Sequence, residues 1–339
     1  MSDRVTVLVT GAGGPAGVAI IRSLLRRGDV RVVAADMDAY ASGLYLVPAA
    51  DRALVPAGLA PGFADAVLEL CRREDVDVLF PTVDVELPVA ARRADDLAAQ
   101  GVRLASPSLD TLLVCLDKYA LAQRCAGVVT VPRTDLLSPA AAEGRSFPVI
   151  VKPRSGAGSR GISLVSTPAE LAARGADNAW LVQDHLPGEE YSVDLIAGMD
   201  GSVIAAVPRS RLRVDSGVSV AGRTLADREL QDTAAAVARA IGLTTVANIQ
   251  LKRTADGTPA LLEVNPRFSG AMPLTVASGV DMPSLTLDLV LGRPVPAHVP
   301  FREVAMVRYL EDVFLDPAEI IAVPGGELGD AVAAGAGAG

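Results

Sequence analysis

The first third of the chain alternates short apolar runs with amphipathic stretches. Residues 5–10, VTVLVT, form the continuous apolar run expected of a strand buried on both faces. A glycine-rich turn, GAGGPAG, follows at 11–17, then a helical pattern to Arg27 and a second apolar run at 30–35. A helix over 63–74, a strand over 76–81, a helix over 87–100 and a strand over 102–105 continue the alternation. This is the pattern of an open parallel sheet covered by helices. Beyond it the order becomes mixed. An apolar strand, FPVIVKP, occupies 147–153, and residues 202–214 read as a strand whose period of two puts Arg209, Arg211 and Arg213 on one face. An Ala-rich helix spans 227–241 and a last strand 306–310. Apolar runs at 246–251 and 260–264 flank a polar segment ending in Asp256-Gly257, a hairpin signal. The fold class is α/β, turning to α+β in the C-terminal part.

Composition narrows the function. At 339 residues there is room for two or three domains and an ample core. Half of the residues are hydrophobic but only 4% are aromatic, so the core is built from Ala, Val and Leu. With 31 basic against 40 acidic residues the net charge is −9, which argues against nonspecific nucleic-acid binding. No apolar run reaches the ~18–20 residues of a membrane span. The N-terminus enters a strand at once, unlike a signal peptide. Cys71, Cys115 and Cys125 are odd in number and irregularly spaced, which fits reduced thiols in a cytoplasmic protein. Two histidines leave little material for a zinc site or a His-based triad.

Three places carry candidate chemistry. In the hairpin, strand pairing gathers Gln250, Glu263 and Asn265, oxygen donors with one formal charge. Such a set suits Mg²⁺, with Mn²⁺ as the alternative ion and substrate phosphates completing the octahedron. Arg267, two residues on, is placed to meet a phosphate held by the same metal; a polar hairpin facing water is the bland alternative. Lys152 ends a buried strand and runs into RSGAGSRG at 154–161. A buried lysine beside a glycine- and serine-rich loop calls for an anion, and successive N–H groups can nest phosphate oxygens; no Walker A pattern follows, and a flexible linker is the other reading. At the front, the glycine turn and Asp36, roughly 20 residues on, outline a dinucleotide fold, although Gly11, Gly13 and Gly17 are spaced G-x-G-x-x-x-G. Thr82, Asp84 and Glu86 lie past a strand's C-terminal end, where α/β sheets bind ligands. Glu86 is either an ammonium-binding group or an acid balancing a helix N-terminus.

The sequence N-x-Q at 248–250 followed by E-x-N-P-R at 263–267 resembles the metal hairpin of the ATP-grasp superfamily, in the version of the carbamoyl-phosphate synthetase large chain. Asp117-Lys118, the Lys152 strand with its loop, and WLVQDHLPGEEYSVD at 180–194 fall in the superfamily's order, so the resemblance covers about residues 5–290. It implies an ATP-grasp fold with a Rossmann-like pre-ATP-grasp domain at 1–110, a lid domain at 111–187 and a central domain with the metal site at 188–325; composition alone makes 326–339 a disordered Ala/Gly tail. It also implies roles. Lys118 and Lys152 would meet the phosphates, with Ser155, Gly156, Gly158 and Ser159 closing over them. Gln183, Asp184 and Leu186 would hold adenine, Gln183 standing where many members have Glu. Glu190 would take the ribose hydroxyls, and Gln250, Glu263 and Asn265 one or two Mg²⁺. Arg211 and Arg267 would join Lys152 at the transferred phosphoryl group or meet the substrate carboxylate, since guanidinium binds both bidentately. Gly13, Gly14, Glu86, Arg209, Arg211 and Ser269 would line the substrate side.

The implied activity is an ATP-dependent carboxylate–amine ligase acting through an acyl phosphate on amino-acid-like substrates, with homodimers common in the superfamily. With one ATP-grasp copy the chain is not a full carbamoyl-phosphate synthetase. Glu86 and Asp215 are the candidates for a general base. A kinase of a small carboxylate, an NAD-binding oxidoreductase and a non-catalytic ATP-binding regulator stay open as alternatives.

Overall fold

The computed structural model describes residues 4–156, 160–215 and 217–321. Gly158 and Ser159 of the lid loop, and the tail from 326, lie outside the described residues. The apolar runs at the front become five parallel strands: β1 Val5–Val9, β2 Val30–Asp36, β3 Arg52–Leu54, β4 Val78–Phe80 and β5 Arg103–Leu104, in the order β3-β2-β1-β4-β5. Alternation along β1 divides the packing. Val7 and Val9 meet Ile20, Ile21 and Leu24 of helix α1, Pro15–Leu24, on one face. Leu8 meets Val67, Leu70 and Leu97 on the other, from α2, Phe63–Arg73, and α4, Ala94–Ala99. The helix expected over 87–100 is two, α3 Glu86–Ala91 and α4, because the chain turns at Arg92 and Arg93. β3 has no sequence expectation behind it; three residues are too few to show a period.

Two short helices follow, α5 Leu109–Leu116, capped by Ser108, and α6 Lys118–Cys125, capped by Asp117. Their Cys115, Leu121 and Cys125 pack with Val193, Leu195, Ile249 and Leu251, so this pair shares the core of the later sheet. The lid sheet is β6 Thr134–Leu137, β7 Val149–Pro153, β8 Ser163–Val165 and β9 Asp177–Asp184, ordered β6-β9-β7-β8 and packed on α7, Pro168–Ala172.

The central sheet begins with β10 Glu190–Ala197 and β11 Val203–Ser210. β11 stops at Ser210, and Arg213 opens a separate strand, β12 Arg213–Asp215, beside β13 Val218–Arg223. The three arginines therefore do not share one strand. After α8, Arg228–Ala240, the hairpin β14 Thr245–Arg253 and β15 Pro259–Asn265 completes the order β11-β10-β14-β15. One face of this sheet buries Val193, Leu195, Ile249 and Leu251 against α8. The opposite face carries Glu190, Ser192 and Asp194 on β10 beside Gln250 and Asn248 on β14. Helices α9 Met272–Ala277 and α10 Met282–Val290 return to the first domain, and β16 Ala305–Val307 pairs with β13.

Candidate active site

The β14–β15 register sets the centre of the site. It pairs Asn248 with Asn265 and Gln250 with Glu263, so the period of two collects four oxygen-bearing side chains on one face. Asn265 Nδ2 donates to Glu263 Oε1 at 3.3 Å, and Lys118 Nζ lies 3.8 Å from Glu263 Oε2. Among the described residues no three His, Cys, Asp or Glu side chains stand together as a metal cluster. A cation here would take one carboxylate and amide oxygens, a donor set that fits Mg²⁺ with phosphate filling the remaining positions.

A cleft of ≈ 200 Å³ runs between the lid sheet and this hairpin, bordered by Lys118, Lys152, Gly156, Leu186, Glu190 and Glu263 among others. Lys152 is buried at the end of β7, and its Nζ donates to Gln183 Oε1 at 2.8 Å. Gln183 Nε2 in turn donates to Thr134 Oγ1 at 2.9 Å, whose hydroxyl donates to the Pro132 carbonyl at 2.8 Å. Burial holds the Lys152 ammonium down to about 8, against the pull of Glu263. A buried amine whose polar contact is a neutral amide has unused capacity for an anion. Lys118 Nζ donates to the Gly156 carbonyl at 2.6 Å, fastening the start of α6 to the lid loop. Ser155 is exposed beside it and does not border the cleft. At the end of β9, the Asp184 N–H bonds to the Arg133 carbonyl at 3.0 Å, and its carboxylate accepts from Arg145. The Leu186 N–H has no partner among the described residues. Glu190 pairs with Arg211, 3.1 Å apart.

A second cleft, ≈ 140 Å³, shares Gln250 and Glu263 with the first and is walled by Arg209, Arg211, Asn265, Arg267 and Ser269. Each of its arginines meets a carboxylate. Arg267 forks onto Asp84 of the first domain at 2.7 and 3.0 Å. Arg209, 2% exposed, forks onto Asp194 at 2.9 and 3.0 Å. Asp194 also accepts from Asn248 at 2.8 Å, Ser269 at 3.1 Å and Thr275 at 2.5 Å. Burial pushes the Asp194 carboxyl up, and Arg209 with these donors brings it below its usual range. Arg209 is thus a sealed ion pair in the cleft wall rather than an open cation on a strand face.

Gly13, Gly14 and Glu86 are not brought to either cleft. Gly11 adopts φ +61°, and a side chain at Gly17 would put its Cβ 2.3 Å from the Gly11 carbonyl oxygen. These two glycines close the turn on itself. The N–H groups of Ala12, Gly13 and Gly14 bond to Ala35 O, Asp36 Oδ2 and Gly11 O. The turn therefore presents none of these three donors to a pyrophosphate, and the Asp36 carboxylate is occupied by backbone. Glu86 is buried and accepts from Thr10 Oγ1 at 2.6 Å. Burial raises its carboxyl to about 7, with the Thr10 bond opposing and Asp36 assisting.

Several site residues were not singled out from the sequence. Lys252 and Arg160 border the first cleft. Lys252 was within reach, being two residues from Gln250 on the same strand. Asp84 as the partner of Arg267 was not, since 183 residues separate them.

A family model for "ATP-grasp in the biosynthetic pathway with Ter operon" matches residues 176–313, and a model for the PylC-like N-terminal domain matches residues 7–105. The chain carries an ATP-grasp match over residues 176–313 behind a PylC-like N-terminal match. Solved structures agree on the fold. N5-carboxyaminoimidazole synthetase from Staphylococcus aureus, complexed with ADP, is 14% identical with a TM-score of 0.73, covering 91% of this chain and 83% of that one. Biotin carboxylase from Campylobacter jejuni is 18% identical, TM-score 0.71, over 86% and 72%. The L-amino acid ligase from Bacillus licheniformis is 17% identical, TM-score 0.67, over 86% and 75%. The ATP-grasp match thus spans β9 through β16, including the β14–β15 hairpin, and the PylC-like match spans most of the front sheet. No helix among the described residues is long and apolar enough to cross a membrane.

Proposed function

We propose that this ATP-grasp protein joins a small carboxylate to an amine, with ATP as the driving substrate. The observation that carries the reading is the shared wall. A cleft with two lysines and a cleft with three arginines meet at Gln250 and Glu263. A phosphoryl donor in the first and an acid in the second would face each other across one hairpin.

In this reading Lys152 and Lys118 hold the phosphates, with Gly156 beside them. The Leu186 N–H, together with Gln183 and Asp184, edges the adenine, and Glu190 accepts the ribose hydroxyls. Gln250, Glu263 and Asn265 would hold Mg²⁺, which supplies charge neutralisation at the β- and γ-phosphates. Arg211 and Arg267 orient the acid bidentately. A carboxylate oxygen then forms a bond to the γ-phosphorus as the bond to the ADP oxygen breaks. The amine attacks the acyl carbon of the resulting acyl phosphate, phosphate leaves, and the amine gives up a proton. Closure of the lid keeps water from the intermediate.

The test is ADP release with pairs of amino acids or small peptides as substrates. Release should need an acid, and full turnover should need acid and amine together. Glu263→Ala should abolish ADP formation and leave the folded spectrum unchanged; turnover retained in that variant would refute the metal assignment.

A further inference from the structure

The two clefts are joined by a second contact besides the hairpin. Glu190 borders the nucleotide cleft and Arg211 the acceptor cleft, and Arg211 Nε lies 3.1 Å from Glu190 Oε1. Among the described residues the guanidinium also donates to neutral oxygens, Ser192 Oγ at 3.2 Å and the Gly217 carbonyl at 3.3 Å. Its side chain is 13% exposed, whereas that of Glu190 is 36% exposed. The pair is therefore open on the nucleotide side and closed on the other. Arg209, one alternation back on β11, shows the contrast: its partner Asp194 is 1% exposed and already saturated by Asn248, Ser269 and Thr275. Arg211 has a partner that a ligand can take.

We propose that the Glu190–Arg211 ion pair couples the two clefts, with ribose hydroxyls drawing Glu190 away and releasing Arg211 to receive the acceptor's carboxylate. The proposal rests on the nucleotide reading above. A cis-diol donating to both carboxylate oxygens competes with Arg211 for Oε1. Nucleotide binding weakens the pair, so a second ligand that needs the guanidinium meets a smaller opposing term. By linkage the acid strengthens nucleotide binding by the same factor. Arg211 is thus a positioning residue for ribose recognition and the carboxylate receptor once released.

The experiment compares ADP with 2′-deoxy-ADP, each with Mg²⁺, in the wild type, Arg211→Ala and Arg211→Gln, with folding of each variant checked by circular dichroism. The ratio of the two affinities isolates the ribose contact, because loss of a positive charge near the phosphates acts on both nucleotides alike. Freeing Glu190 should enlarge the preference for ADP by about threefold to fivefold in both variants, up to the ~1 kcal/mol expected of a solvent-accessible pair. A ratio that is unchanged or smaller would mean that Arg211 merely props Glu190, and would overturn the proposal. Glu190→Gln separates the two readings. If ADP binds but this variant keeps the full 2′-hydroxyl preference, the ribose assignment and the coupling fall together. If ADP does not bind the wild type at all, the nucleotide reading itself is refuted.

Discussion

Nucleotide binding above about pH 8 should carry a proton into the protein. The Lys152 ammonium titrates at about 8 rather than 10.5, because β7 buries it. That gap amounts to about 3 kcal/mol against the charged form in the ligand-free site. Without nucleotide, the unfolded chain keeps this proton up to 10.5 and the folded chain releases it near 8. Stability should therefore rise as pH climbs between those values, and below 8 the charged lysine opposes folding in full. A polyphosphate beside the amine favours the charged form and restores its basicity. At about pH 8.5 roughly three-quarters of the ligand-free molecules have a neutral Lys152, so binding must take up about 0.75 of a proton, and log K should fall with pH at a slope of about −0.75 there, steepening toward −1 as pH rises further. Calorimetry of ADP with Mg²⁺ in two buffers of different ionisation enthalpy reads the uptake directly. Lys152→Arg keeps its charge throughout, so its affinity should be flat over the same range. Equal heats in the two buffers for the wild type, or an undiminished slope in the arginine variant, would refute the reasoning.

Other expectations follow from buried charge. Glu86, raised to about 7 from 4.5, favours its protonated form in the fold, so stability is lost as pH rises between those values. Glu86→Gln should stabilise the protein at pH 8 by up to about 3 kcal/mol, and the gain should vanish by about pH 4.5; urea denaturation at both pH values checks this. Asp194→Ala leaves Arg209 buried and uncompensated, and should cost about 3–5 kcal/mol by the same measurement. Replacing Arg209 as well, by methionine, should recover part of that loss.

How far the sequence reaches depends on the range of each interaction. The hairpin register was legible because a period of two and one Asp-Gly turn decide which residues oppose each other, and Gln250 does face Glu263. The Lys152 strand was legible because an apolar run ending in lysine beside glycines is locally inconsistent without a partner. The arginine strand was misread for the same local reason. Alternation continues through residue 213, but the chain leaves the sheet after Ser210, a choice made by its pairing with β10. Arg209 and Arg267 could not be assigned their carboxylates, since Asp194 and Asp84 reach them through tertiary packing. The glycine turn suggested an anion site, and only its internal bonding reveals that the donors are spent.

The final strand has a consequence for any attempt to shorten the protein. β16 pairs with β13, the strand whose Val218 and Ser219 wall the second cleft. Beyond it, Glu311 and Glu319 reach back to Arg22 and Arg52 of the first domain. Arg308 meanwhile donates to the Gly270 carbonyl at 2.6 Å. Cutting the chain near residue 300 would do more than trim a trailing segment: it would unlace the buckle that draws the front sheet, the cleft wall and the β14–β15 hairpin together.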